Sequence, residues 1–224
     1  MLISDKLNSA IRVLLVNSIE GKPNLTFSEL AKKAKIAPSL AKKIALKLIR
    51  SEYAAIGKGI RGIKIIKPEK LTKAWGYLFS IRELEKAEFI AAERPQYVMV
   101  KIANAARINK LKYAFTLFSA TEHIHPYVAP ADTHMYILKN DLKAWQKLFS
   151  SQNTQTAEGN GNIICLLVDE DYFEGVWNSR EMTVVSLPQL CADLLSYGGR
   201  GEEAGEEILK LIGERLKNVR INRN

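Results

Sequence analysis

The chain has 224 residues, 47% hydrophobic and 25% charged, which is ordinary globular material with room for two domains. No apolar run approaches the roughly 20 residues of a membrane span, and two scattered cysteines, Cys165 and Cys191, give no disulfide framework, which fits a reducing cytoplasm. The net charge of +9 is local: residues 1–75 hold 16 Lys and Arg against 5 Asp and Glu, whereas the remainder holds 17 against 19, so the basic first third points to a polyanion.

Residues 2–19 place Ile3, Leu7, Ala10, Ile11, Leu14 and Leu15 on one helical face, and Asp5, Lys6 and Arg12 inside that stretch argue against a secretory signal. After a loop over 20–24, Leu25 is expected to extend and pair with a hairpin further on. Thr26 and Glu29 form the S/T-x-x-E pattern that satisfies the first amides of a helix, and Phe27, Leu30, Ala31 and Ala34 carry its apolar period. Pro38 suits the first turn of the next helix, since a residue without an N–H loses nothing there. In that helix Leu40, Ala41, Ile44, Ala45 and Leu48 face inward, while Ser39, Lys42, Lys43, Lys47 and Arg50 take the other side. A strand near Tyr53, a glycine-containing turn and a second strand at 62–66 follow, with Lys58, Arg61 and Lys64 at or near the tip. Helix, turn, helix and hairpin in this order predict a winged helix-turn-helix that grips double-stranded DNA, with Ser39, Lys42, Lys43 and Lys47 in the major groove and Lys58, Arg61 and Lys64 on the flanking backbone.

Beyond Pro68 the pattern predicts helices at 69–80 and 82–93, then a strand at 97–101, a helix at 102–111, a strand at 112–118 and a short helix at 119–125. Strands at 134–138, 163–168 and 182–185, a helix at 141–149, a polar loop at 150–162 and closing helices at 188–197 and 201–217 complete it. The expected fold class is α/β (α+β), an N-terminal winged helix-turn-helix plus a C-terminal mixed α/β domain. The expected division is 1–68 for the DNA-binding domain, 69–95 for a helical connector and 96–224 for the second domain.

Residues 184–195, which include Pro188, Gln189, Asp193 and Leu194, together with Arg200, Gly201, Glu203 and Ala204, resemble a signature of the AbiEi antitoxin family of transcriptional regulators. The run from Tyr113 to Tyr127 is also similar, although that family often has glycine where this chain has Leu117 or Phe118. The resemblance implies an antitoxin of a type IV toxin-antitoxin system that represses its own operon and opposes a nucleotidyltransferase toxin, contacted directly or indirectly. It makes Gln189, Asp193, Arg200 and Glu203 the antitoxin-domain motif.

Other chemistry is thinner. His123 and His125, with Glu122 and His134, lack a third ligand at a convincing interval, so no metal is expected. Asp169, Glu170 and Asp171 follow an apolar strand but lack the glycine turn and lysine of a phosphoryl-transfer site, so neither catalysis nor a cofactor is expected; a Mg²⁺-dependent nuclease or nucleotidyltransferase is the minor alternative. A ligand-sensing second domain with a pocket near Trp145 or Trp177 is the other alternative. Gln189 and Asp193, four apart on a helix, are expected to lock the last two helices together, with Arg200 folding back toward Asp193, or to form part of an antitoxin surface.

Overall fold

The computed structural model describes residues 4–57, 59, 61–152, 154–179 and 181–221, except for the side chains of 219–221. The chain divides into two compact units, one made of Met1–Arg82 with Leu187–Asn224 and the other of Glu83–Ser186.

The first unit begins with α1 (Asp5–Ile19), whose N-cap Ser4 accepts from the Leu7 amide. Leu25 forms a bridge to Ile63, as expected, and α2 (Phe27–Lys33) opens with the anticipated capping box between Thr26 and Glu29. Helix α3 (Pro38–Arg50) starts with Pro38 in its first turn. Strands β1 (Ala54–Ala55) and β2 (Lys64–Ile65) pair antiparallel, and α4 (Pro68–Leu78) follows.

The second unit carries β3 (Lys86–Ile90), α5 (Pro95–Asn109), β4 (Tyr113–Phe115), α6 (Leu117–Ile124), β5 (Thr133–Leu138), α7 (Leu142–Ser151), β6 (Gln155–Ala157), β7 (Ile163–Val168), β8 (Trp177–Ser179) and β9 (Met182–Val184). Its sheet runs β6-β3-β7-β5-β4-β9-β8. The sheet is mixed: β5 lies parallel to β7 and β4 parallel to β9, while the other pairs are antiparallel. Phe89 lies in register with Ile163, and Cys165 with Met135. On that side of the sheet Phe89, Phe149, Trp145 and Tyr113 form a chain of aromatic contacts.

The chain returns to the first unit as α8 (Leu187–Tyr197) and α9 (Arg200–Ile221). Every residue of α8 from Leu187 to Leu195 is buried. Packing against α4 is close enough that a Cβ on Gly76 would lie 2.7 Å from Leu195 Cδ1. The mixed α/β class is therefore the one expected, whereas the chain divides after Arg82 and after Ser186 and not at 68 and 95, because α8 and α9 pack with the amino-terminal helices.

Three local expectations are corrected. Residues 82–93, rich in helix formers, hold a single 3-10 turn (Ile81–Glu83) and the strand β3, because that segment is hydrogen-bonded on both edges, to β6 and β7, and pairing overrides propensity. The β-branched residues at 97–101 belong to α5, whose start is set by Pro95. The polar loop 150–162 contains β6, and Asn162 pins it by exchanging hydrogen bonds with the Ala91 backbone at 2.9 and 2.8 Å.

Candidate nucleic-acid interface

The local chemistry of residues 26–67 fixes a helix pair and a hairpin. Glu29 accepts from the Thr26 amide at 2.7 Å and its own amide donates to Thr26 Oγ1 at 3.2 Å. The Thr26 amide, and after it the Thr26 hydroxyl donating to the same carboxylate at 2.8 Å, hold the Glu29 carboxyl below its usual range, and the positive charges of Arg61 and Lys33 add to the effect. Helix α2 ends through Lys35 in a left-handed conformation, φ +52°, with the Ile36 amide reaching back to the Ala31 carbonyl at 3.0 Å. Three residues later Pro38 begins α3.

Ala41, Ile44, Ala45 and Leu48 bury one face of α3, and Ser39, Lys42, Lys43, Lys47 and Arg50 are exposed on its outer side. No acidic residue occurs between Glu29 and Glu52. Among the described residues none of Lys42, Lys43, Lys47, Arg61 and Lys64 is engaged in an ion pair, so their charge is available to an external anion. Lys67, by contrast, is tied to Glu52 at 2.9 Å.

In the hairpin, Lys64 projects outward between the buried Ile63 and Ile65, and Arg61 is exposed. Lys58 lies outside the described residues. The root of the hairpin is fixed by the Ile63 amide donating to the Leu25 carbonyl at 2.7 Å. At Gly62 φ is +86°, and a Cβ there would meet the Leu25 carbonyl oxygen at 2.6 Å.

The carboxyl-terminal motif is split. Gln189 and Asp193 are fully buried and joined, Gln189 Nε2 donating to Asp193 Oδ1 at 2.7 Å, whereas Arg200 and Glu203 are exposed at the start of α9. The cation that reaches Gln189 is Arg12 of α1, fully buried, with Nε donating to Gln189 Oε1 at 2.5 Å and its guanidinium 5.8 Å from the centre of the Trp75 ring. Sequence reading assigned Arg12 only as evidence against a signal. Helical spacing places Arg12 beside Asn8 and Ser9, off the apolar face of Leu7, Ile11 and Leu15, so its burial follows from the helices packed around α1 and not from a local pattern.

In the second unit, His123 and His134 stand on α6 and β5, with His125 capping α6. Among the described residues no group of three or more His, Cys, Asp or Glu could hold a metal ion. His134 is half-buried, and loss of solvation lowers its pKa to about 4. Asp169 is exposed, Asp171 lies half-buried in a 3-10 turn and Glu170 is paired with Lys112. Cys165 and Cys191 are buried, which pushes both thiols up. A cavity of about 190 Å³ is lined by Val98, Ile102, Phe149, Thr154 and the paired Lys101 and Glu93. Trp145 is packed in the core against Phe149, which also lines this cavity. No described helix is long and apolar enough to cross a membrane.

No curated protein and no solved structure matches the chain. A family model described as "Transcriptional regulator, AbiEi antitoxin, Type IV TA system" matches residues 64–215, from β2 of the hairpin through the sheet of the second unit and the motif on α8 into α9. That match takes in more than half of the chain, and the protein therefore belongs to the AbiEi antitoxin family of transcriptional regulators.

Proposed function

We propose that residues 1–68 act as a winged helix-turn-helix and that the protein is a DNA-binding repressor of its own operon. In this reading α3 enters the major groove, with Ser39, Lys42, Lys43 and Lys47 toward bases and phosphates, and Lys58, Arg61 and Lys64 of the hairpin hold the adjacent backbone. The observation that carries it is the outer side of α3, basic along its length, without a carboxylate to neutralise it, in a chain of a transcriptional-regulator family. The protein works in the cytoplasm as the antitoxin of a type IV system and opposes a nucleotidyltransferase toxin. It has no catalytic role of its own: Asp169 and Asp171 are turn residues at the end of β7.

The test is binding to the DNA upstream of its own gene across a range of salt concentrations. Lys43→Ala should weaken binding and lower the slope of log affinity against log salt by about one, since each lost phosphate contact releases about one counterion fewer. A folded protein without salt-sensitive affinity for double-stranded DNA overturns the proposal. The cavity beside Phe149 favours a second reading, a small effector bound in the second unit, for which a compound that raises that unit's melting temperature and alters operator affinity is the expected sign.

A further inference from the structure

Three polar side chains within one turn of α1 are buried, and each is bonded to a different element of the first unit. Asn8 Oδ1 accepts from Trp75 Nε1 of α4 at 2.8 Å. Ser9 Oγ donates to the carbonyl of Ala34, at the turn between α2 and α3, at 3.0 Å. Arg12 Nε donates to Gln189 of α8, which in turn donates to Asp193. Trp75 also lies against the Arg12 guanidinium. Helix α1 itself joins the two ends: Arg12 holds Gln189, which holds Asp193, and Ser9, three residues earlier on the same helix, holds the turn that sets where α3 begins.

Apolar packing alone tolerates small slips of one helix along another, because contact area changes little with displacement. Buried hydrogen bonds do not, since a shift of an ångström leaves a desolvated donor or charge without its acceptor. A helix fixed by three such bonds over one turn has a single position along and about its axis. Helix α8 supplies one of the three, and its residues 187–195 are buried throughout.

We infer that Ser9, Arg12 and Gln189 are positioning residues for DNA reading, so that the motif helix α8 governs the pose of α3 without touching DNA. The inference rests on the DNA-binding reading above and adds to it the dependence of that activity on the carboxyl-terminal helices. It gives Gln189 and Asp193 a role in the regulator's DNA affinity, separate from any surface they would share with Arg200 and Glu203.

The experiment uses full-length protein and its upstream DNA, and wild type is measured first: if wild type does not bind, the DNA-binding reading fails and the inference with it. Ser9→Ala removes only the bond to the turn. Arg12→Lys keeps the buried charge and loses the Nε donor. The combination Arg12→Met, Gln189→Leu and Asp193→Ala replaces the network by apolar packing, which often restores stability but not geometry. With each variant confirmed folded at the assay temperature by circular dichroism, specific affinity should fall at least about tenfold while affinity for unrelated DNA, set by surface lysines, changes much less. Faster amide exchange at Ala34 to Ile36 should accompany the loss. If wild type binds while Ser9→Ala and Arg12→Lys, both folded, match it in affinity and specificity, the inference is overturned, whether or not the triple variant folds. The same holds if the folded triple variant reads the operator as wild type does.

Discussion

At Gly62 backbone conformation and available space exclude a side chain together, the first through a φ of +86° and the second through the Leu25 carbonyl oxygen 2.6 Å from a Cβ. Gly62→Ala should therefore cost roughly 1–3 kcal/mol and lower the melting temperature of the first unit by several degrees. The same substitution at Gly59, where φ is +81° but the space is open, should cost less, and a thermal melt of the two variants separates the steric part from the conformational one. His134 makes a pH prediction of definite sign. The unfolded imidazole takes up a proton near 6.5 and the folded one only near 4, so stability is full above about pH 6.5, falls as pH drops toward 4 and levels off below it. The loss should amount to about 3 kcal/mol. Urea unfolding of wild type and His134→Gln at pH 7 and pH 4.5 checks it: the variant should show a shallower loss.

Among the elements, α2 depends on its cap. Glu29 is exposed and its carboxyl is held low by the bonds from Thr26, so the stabilisation it gives is present above the ordinary glutamate range and disappears as pH falls through the lowered value. Thr26→Ala should destabilise the first unit by about 1 kcal/mol at neutral pH. Glu29→Gln should remove this part of the acid dependence, read as the acid limb of the melting curve. Where an element carried its own punctuation it was legible in the sequence: Thr26 with Glu29, Pro38, the glycines around the hairpin and the apolar run at 163–168 all place elements that the structure contains. Where the deciding interaction was distant it was not. Lys86 to Ile90 is a strand because β6 and β7 flank it, and nothing in residues 82–93 announces those neighbours. The buried contact between Arg12 and Gln189 spans 177 residues, so no local pattern could have paired them. The exposed lysines of α3 were readable from helical spacing alone, because solvent exposure of a charged side needs no partner.

For the whole molecule, the second unit is one continuous stretch, Glu83–Ser186, with its own sheet and aromatic core, and the first is assembled from both ends of the chain. Residues 83–186 should fold when expressed alone, with dispersed amide resonances and a cooperative melt. A chain ending at residue 186 should keep that unit but lose the first, because α8 supplies Leu190, Ala192, Leu194 and Leu195 to its core and the acceptor for Arg12. Limited proteolysis of the truncated chain should then cut within residues 1–82 while sparing 83–186. The expected boundaries at 68 and 95 missed this because local charge and element patterns cannot show that the two ends of a chain return to one core.

The hairpin is anchored at its root and open at its tip. Residue 63 is bonded to Leu25 and residue 62 admits no side chain, whereas a Cβ on Gly59 meets nothing within 4 Å. Recognition of a new operator could thus be engineered by lengthening the hairpin at Gly59, whereas recharging Arg61 would also reach the scaffold, since its charge acts on the Glu29 carboxylate of the α2 cap.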